Sequence, residues 1–265
     1  MTVARGRPVY STGAPPCTGL GLTWSSEELN AALEGPVSAV LFDDEGRTDI
    51  EEMMREVVET EFEQEALLSV LARPGRIEGW RVGEAIAETW LTDHHNCYFP
   101  WPDGRDERKS GSSLPGADLV GLHADAHGDR LAFGEVKTSS NAKQPPRLMY
   151  GRTGLKKQLE NLRNSISIRD DLFKYLGHRA KGACWEKRFQ QAGKRYLNNT
   201  SDVQLFGFLV RDVSPHENDV RVRVKRLGQG CPDGMKIELL ALYLPAGRLE
   251  GIGAATVEFR SGNLS

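Results

Sequence analysis

Apolar residues along this chain follow two rhythms. Between residues 50 and 91 they recur every three or four positions, whereas from 119 to 138 and beyond 203 they gather in short runs or alternate. The first rhythm predicts helices and the second predicts strands. The first 20 or so residues are rich in Gly, Pro, Ser and Thr and predict an irregular arm. Ser25-Ser26-Glu27-Glu28 reads as a capping box that opens a short helix over 26–34, stopped by Gly35-Pro36. The apolar run 37–42 suits a strand. Thr48 and Glu51 form a second box, opening a long acidic helix to residue 72 with Ile50, Met53, Met54, Val57, Val58, Phe62, Leu67 and Leu68 at helical spacing. Arg73-Pro74-Gly75 ends it. A further helix covers 77–91, with Trp80, Ile86, Ala87 and Trp90 facing inward, and the polar stretch 100–115 is loop.

The second half alternates in the same manner. Strands at 119–123 and 131–138 flank the turn sequence Asp125-Ala126-His127-Gly128-Asp129. Basic helices follow at 155–176 and 184–196, then strands at 203–213, 220–227 and 237–244. This order predicts an α/β fold with a mixed central sheet flanked by helices, preceded by an acidic helical N-terminal extension. The boundary falls near residue 74, giving an arm and extension over 1–74 and a main domain over 75–265.

Composition changes this picture only when it is resolved along the chain. The 265 residues carry a net charge of −3. Residues 27–65, however, hold 14 acidic side chains against Arg47 and Arg55, a net of −12. Residues 137–197 hold 15 Lys and Arg against Glu160, Asp170, Asp171 and Glu186, a net of +11. A basic block of that density is the footprint that phosphate binding requires; two solvated faces attracting one another is the plainer reading. No stretch approaches the roughly 20 apolar residues of a membrane span, and no apolar run follows Arg5 and Arg7, so a cytoplasmic protein without membrane contact is expected. Cys17, Cys97, Cys184 and Cys231 are scattered and read as reduced thiols. His94, His95 and Cys97 lack the partner cluster that a zinc site needs. There is no GxxxxGK loop, HExxH, GxSxG or dinucleotide fingerprint.

The hairpin carries the candidate chemistry. Residues two apart on a strand share a face, so Glu135 and Lys137 point the same way and Val136 points to the other. A turn at 126–129 would set Asp118 opposite Lys137, and a slip of two would set it opposite Glu135 with the face retained. Either register gathers two carboxylates and an ammonium within the roughly 4.5–8 Å spanned by cross-strand and diagonal neighbours. Magnesium prefers hard oxygen ligands and keeps several waters. Two carboxylates and a main-chain carbonyl, that of Val136, suit it.

Gly116-Ala117-Asp118 followed by Gly134-Glu135-Val136-Lys137 resembles the motif of the PD-(D/E)XK nuclease superfamily, over about residues 77–165. Ala117 stands where the family name has Pro, which alters a backbone preference and removes no ligand. The resemblance implies a restriction-endonuclease-like core and an endonuclease that hydrolyses phosphodiester bonds of DNA with Mg²⁺ or Mn²⁺. It implies Asp118, Glu135 and the Val136 carbonyl as metal ligands and Lys137 as the activating cation. It further implies a supporting acid on the preceding helix, Glu84 in Arg81-Val82-Gly83-Glu84 (Glu88 being the fallback), and a polar residue on the following helix, Gln158. Lys143, Arg152, Lys156, Lys157 and Arg163 are the expected DNA contacts, with Trp185 and Tyr196 nearby for stacking and Arg221, Arg223 and Lys225 lining one face of a strand. The layout is also similar to the nuclease subunits of Hachiman-type anti-phage defence systems, which implies a helicase partner. A non-catalytic nucleic-acid-binding subunit is the alternative reading, and a protein whose acidic helices are its main partner surface is a third. The acidic extension could also dock on the basic helices and restrain them.

Overall fold

The computed structural model describes residues 2–72, 77–101, 105 and 116–262. The β-rich runs form one seven-stranded sheet from β1 (Arg7–Ala14), β2 (Cys17–Thr23), β3 (Cys97–Tyr98), β4 (Leu119–Asp125), β5 (Gly128–Ser139), β6 (Val203–Arg211) and β7 (Lys236–Tyr243). Its order is β1-β2-β7-β6-β5-β4-β3. The four strands β2, β7, β6 and β5 run parallel, while β1, β4 and β3 are antiparallel to their neighbours. The molecule is therefore α/β with a mixed sheet.

Both faces of the sheet are covered, which is why its central strands read as nearly unbroken apolar runs. On one face pack α1 (Ser26–Glu34), α2 (Pro36–Leu41), α5 (Gly79–His94) and α10 (Ile252–Gly262). Their Leu29, Leu33, Val37, Ile86 and Trp90 meet Ala132, Val136, Phe206, Phe208 and Leu240. On the other face pack α6 (Leu155–Asn164), α7 (Ile166–Ala180), α8 (Glu186–Asn198) and α9 (Arg221–Gly228), whose Leu155, Leu159, Leu176 and Leu227 meet Leu131, Phe133, Leu205 and Leu239. Each such buried side chain contributes roughly 1.5–3 kcal/mol. Even-numbered residues of β5 face the first layer and odd-numbered ones the second, and this parity decides where Glu135 and Lys137 point.

Several sequence expectations need correction. The N-terminal arm is the β1–β2 hairpin, and β2 pairs in parallel with β7. Its glycines are fitted rather than loose: a Cβ on Gly19 would lie 2.7 Å from Val224. Residues 37–42 belong to α2 and not to a strand, because Pro36 sits at the first helical turn, where its fixed φ favours a start. The acidic helix is two helices, α3 (Asp44–Met54) and α4 (Glu61–Leu71); the capping boxes that form are Ser25 with Glu28 and Thr60 with Glu63, while α3 is capped by Asp43. Met53, Val57 and Phe62 are exposed, so their helical spacing marks no packed face.

Further on, the basic helix predicted over 155–176 breaks at Ser165, which caps α7 while buried Arg169 donates to the carbonyls of Leu162 and Arg163. Residues 220–227 form a 3-10 turn end and α9, not a strand. Consequently Arg221, Arg223 and Lys225 do not share a face. Trp80 is partly exposed, whereas Ile86, Ala87 and Trp90 are buried as expected. The Arg73-Pro74-Gly75 stop and most of the 100–115 loop lie outside the described residues. Among the described residues, no helix is long and apolar enough to cross a membrane.

Candidate active site

The β4–β5 hairpin is tighter than its sequence suggested. Asp125 pairs with Gly128, leaving Ala126 and His127 as the turn. Two features select it: the Asp125 carboxylate accepts the His127 N–H at 2.8 Å, and Gly128 takes a φ of +99°, which glycine adopts without a Cβ penalty. Leu119 then pairs with Gly134. Asp118, one residue earlier, is placed opposite Glu135, two positions from the register that a four-residue turn would set.

The trio converges. Lys137 Nζ donates to Glu135 Oε1 at 2.5 Å and lies 3.8 Å from Asp118 Oδ2. Asp118 Oδ2 also accepts the Val136 N–H at 2.7 Å, which fixes its carboxylate against the edge of β5. A strand residue turns its N–H and C=O to the same side. The Val136 carbonyl therefore faces the same opening, beyond the point where β4 begins. Glu135 is nearly enclosed, with its side chain 7% exposed, while those of Asp118 and Lys137 are each 20% exposed. The site thus has a buried end at Glu135 and an accessible end at Asp118 and Lys137.

Burial raises the carboxyl pKa of Glu135 from 4.5 to about 7, the nearby Asp118 charge adds to the rise, and the Lys137 ammonium opposes both without overcoming them. Burial likewise raises Asp118, against the pull of Lys137 and the Val136 N–H. Burial alone would lower Lys137, but Glu135, Asp118 and Glu84 together hold its pKa above the ordinary value. Two carboxylates and one ammonium therefore share a pocket that, once both carboxylates are ionised, holds one negative charge more than Lys137 neutralises. The ammonium stands between the carboxylates as a cation would.

Glu84, on α5, reaches Lys137 through its charge and pairs with Arg81 at 3.6 Å. It does not join the two carboxylates directly: among the described residues, no three His, Cys, Asp or Glu side chains cluster closely enough to hold a metal together. Gln158 sits half-buried on α6, on the face of the sheet toward which Glu135 and Lys137 point, and no hydrogen bond from its side chain to the trio is formed. Lys143, Arg152 and Lys157 are exposed. Lys156 is tied to Glu160 at 2.7 Å. Arg163 is engaged structurally, donating to the Leu227 and Gln229 carbonyls at the end of α9. Trp185 and Tyr196 are buried, and Tyr196 donates to Asp170, so neither is placed to stack on a base.

The acidic helices make ion pairs elsewhere. Asp44 binds Arg260 at 2.6 Å and Asp43 binds Arg105 at 2.8 Å. Among the described residues, no ion pair joins the acidic segment to the basic helices α6–α8. A charged group that sequence reasoning passed over is Asp219, which takes Arg211 in a fully buried pair at 2.5 Å, while Arg223, expected on the face of a strand beside Arg221 and Lys225, is instead buried in α9. Val220, Val224 and Leu227, at helical spacing, were the available sign that this segment turns Arg223 inward. In comparison with known proteins, no family model matches the chain and no curated protein matches it.

Proposed function

We propose that this chain is a divalent-metal-dependent nuclease acting on DNA, with the restriction-endonuclease-like core that its PD-(D/E)XK resemblance implies. The observation that carries the reading is the convergence of Asp118, Glu135 and Lys137 at the open end of the β4–β5 hairpin, with more carboxylate charge, once both are ionised, than Lys137 balances. Asp118, Glu135 and the Val136 carbonyl would hold the ion, an oxygen-only set of the kind Mg²⁺ and Mn²⁺ prefer. When bound, such an ion supplies Lewis acidity toward a phosphate oxygen and lowers the pKa of water.

The residues have separable tasks. Glu135, whose carboxyl burial holds above its ordinary range, would have to be ionised to hold a cation, so occupancy would be coupled to pH. Lys137, held protonated by its carboxylate neighbours, donates to the oxygen on which negative charge develops. Glu84 supports that ammonium from α5. Exposed Lys143 and Arg152, in the segment that leaves β5, and Lys157 on α6 supply charge for a phosphate backbone. The similarity to Hachiman-type systems extends the proposal to a helicase partner.

Incubation with supercoiled plasmid and Mg²⁺ or Mn²⁺ tests this. Nicking or linearisation that EDTA abolishes and Lys137→Ala removes is the expected result. Salt-sensitive DNA binding with no cleavage, unaffected by chelator or by Lys137→Ala, would instead assign a non-catalytic binding subunit.

A further inference from the structure

Beyond the trio, buried Arg169 lacks a carboxylate but is met by three backbone carbonyls, whereas buried Arg223 has neither among the described residues. Arg223 is 4% exposed, yet its guanidinium has no hydrogen-bond acceptor and no carboxylate within ion-pair distance among the described residues. Its contact is with the ring of Tyr150, 4.4 Å from the guanidinium carbon. Arginine stays charged, and its five N–H groups form a fork shaped for phosphate or carboxylate. A cation over an aromatic ring recovers part of what desolvation removes and leaves the donors unmet.

The neighbouring acids do not answer it. Glu217 is taken by Arg221 at 2.8 Å, and Asp219 by Arg211 and the Tyr243 hydroxyl. Asn218 accepts from Arg221 through Oδ1, which leaves its amide N–H₂ as a donor. Arg223 opens onto a cleft of about 290 Å³ that also takes in Gln144, Tyr150, Asn218 and Arg226, with no acidic residue in its lining. Arg226 lies one turn from Arg223, so two like charges face the same space, an arrangement that a bound anion relieves.

We infer that this cleft binds a phosphate group, held by the Arg223 fork with Arg226 and the Asn218 amide. Its position favours a phosphate of the nucleic-acid strand, a point that rests on the function proposed above. Gln144 and Tyr150 belong to the segment leaving β5, two residues of which follow Lys137 before the strand ends at Ser139. Arg211, at the end of the adjacent parallel strand β6, holds that segment through the Asn141 and Lys143 carbonyls. The cleft and the trio therefore open at the same end of the sheet. The volume suits a phosphate with part of its sugar and is at the small end of the range for ligand pockets.

The test uses the full chain in EDTA, so that binding is read without cleavage, and compares wild type with Arg223→Met and Arg223→Lys. Inorganic phosphate is titrated against thermal unfolding, and a fluorescein-labelled 20-mer DNA is titrated by anisotropy across a salt series. Phosphate is expected to raise the Tm of the wild type, the effect to vanish in Arg223→Met, and Arg223→Lys to retain only part. Without phosphate, Arg223→Met should melt no lower than wild type, since it removes an unpaired buried charge; this separates lost binding from lost fold. DNA affinity should fall about tenfold in Arg223→Met, and the slope of log affinity against log salt by about one. A phosphate effect that depends on Arg223, with unchanged DNA binding, supports the cleft as a site for free phosphate or a small phosphate ester. Identical phosphate and DNA responses in wild type and Arg223→Met would overturn the inference. Because neither readout needs cleavage, a plasmid left intact by Mg²⁺ or Mn²⁺ would count against the nuclease and not against the cleft.

Discussion

Replacing Glu135 by Gln removes a titrating group while keeping its shape, and the consequence depends on pH with a defined sign. In the unfolded chain the carboxyl titrates near its ordinary 4.5, whereas in the folded protein burial and Asp118 raise it to about 7. Between those values the native state binds a proton that the unfolded state has released, so stability falls as pH rises through this window. Below the window both states are protonated and the group costs nothing; above it the full cost is present. At about 1.4 kcal/mol per pH unit, the gap is worth about 3 kcal/mol. With the side chain only 7% exposed, little solvent screening reduces it. Urea unfolding in EDTA at pH 5, 6, 7 and 8 measures the effect, and titrating groups other than its neighbours Asp118 and Lys137 cancel in the difference between the proteins. The stability of Glu135→Gln relative to wild type should climb by about 2.5 kcal/mol from pH 5, where the wild type already bears a small part of the cost, to pH 8. A difference that stays flat would refute the reasoning, because it would mean that Glu135 is ionised as readily in the fold as out of it.

Other outcomes follow from the same geometry. Mg²⁺ at 100 times its dissociation constant should stabilise the wild type by about 2.7 kcal/mol, read as a rise in Tm that Asp118→Asn abolishes. Apparent Mg²⁺ affinity by calorimetry should weaken as pH falls below 7, since the cation competes with the Glu135 proton. Asp219→Ala should cost about 3–5 kcal/mol in urea unfolding, because it leaves Arg211, fully buried, without its carboxylate. Gly83→Ala should destabilise by about 1–3 kcal/mol despite a better helix propensity, because its Cβ would press on Thr138 Oγ1 of β5. A thermal melt unchanged by that substitution would contradict the close contact of α5 with β5.

Much of the core was legible because local and tertiary signals agree there. The α1 capping box, α5, the β4–β5 hairpin, β6 and β7 all lie close to their expected places, and the shared face of Asp118, Glu135 and Lys137 followed from strand parity alone. The hairpin register did not, because it depends on Asp125 capping His127 and on Gly128 at positive φ. Segments misread were those in which tertiary packing overrides local alternation. Arg221-Val222-Arg223-Val224 alternates like a strand, yet Val220, Val224 and Leu227 pack against the sheet as one helical stripe. The β1–β2 hairpin was hidden by glycines whose purpose, close approach to Tyr10 and Val224, becomes visible only when those side chains are in place. Charge runs were the least informative: Arg163 and Lys156 look like phosphate ligands in the sequence and are occupied by a helix end and by Glu160.

The central claim is that Asp118 and Glu135 hold a divalent cation where Lys137 can act on a phosphodiester. Single-turnover cleavage of an end-labelled DNA duplex with Mn²⁺ at pH 8, comparing wild type with Glu135→Gln, tests it most directly. The variant is expected to remain folded, to bind DNA as wild type does, and to cut at least about 10²–10³-fold more slowly. Cleavage by Glu135→Gln at the wild-type rate, or cleavage by the wild type that persists in EDTA, would contradict the account.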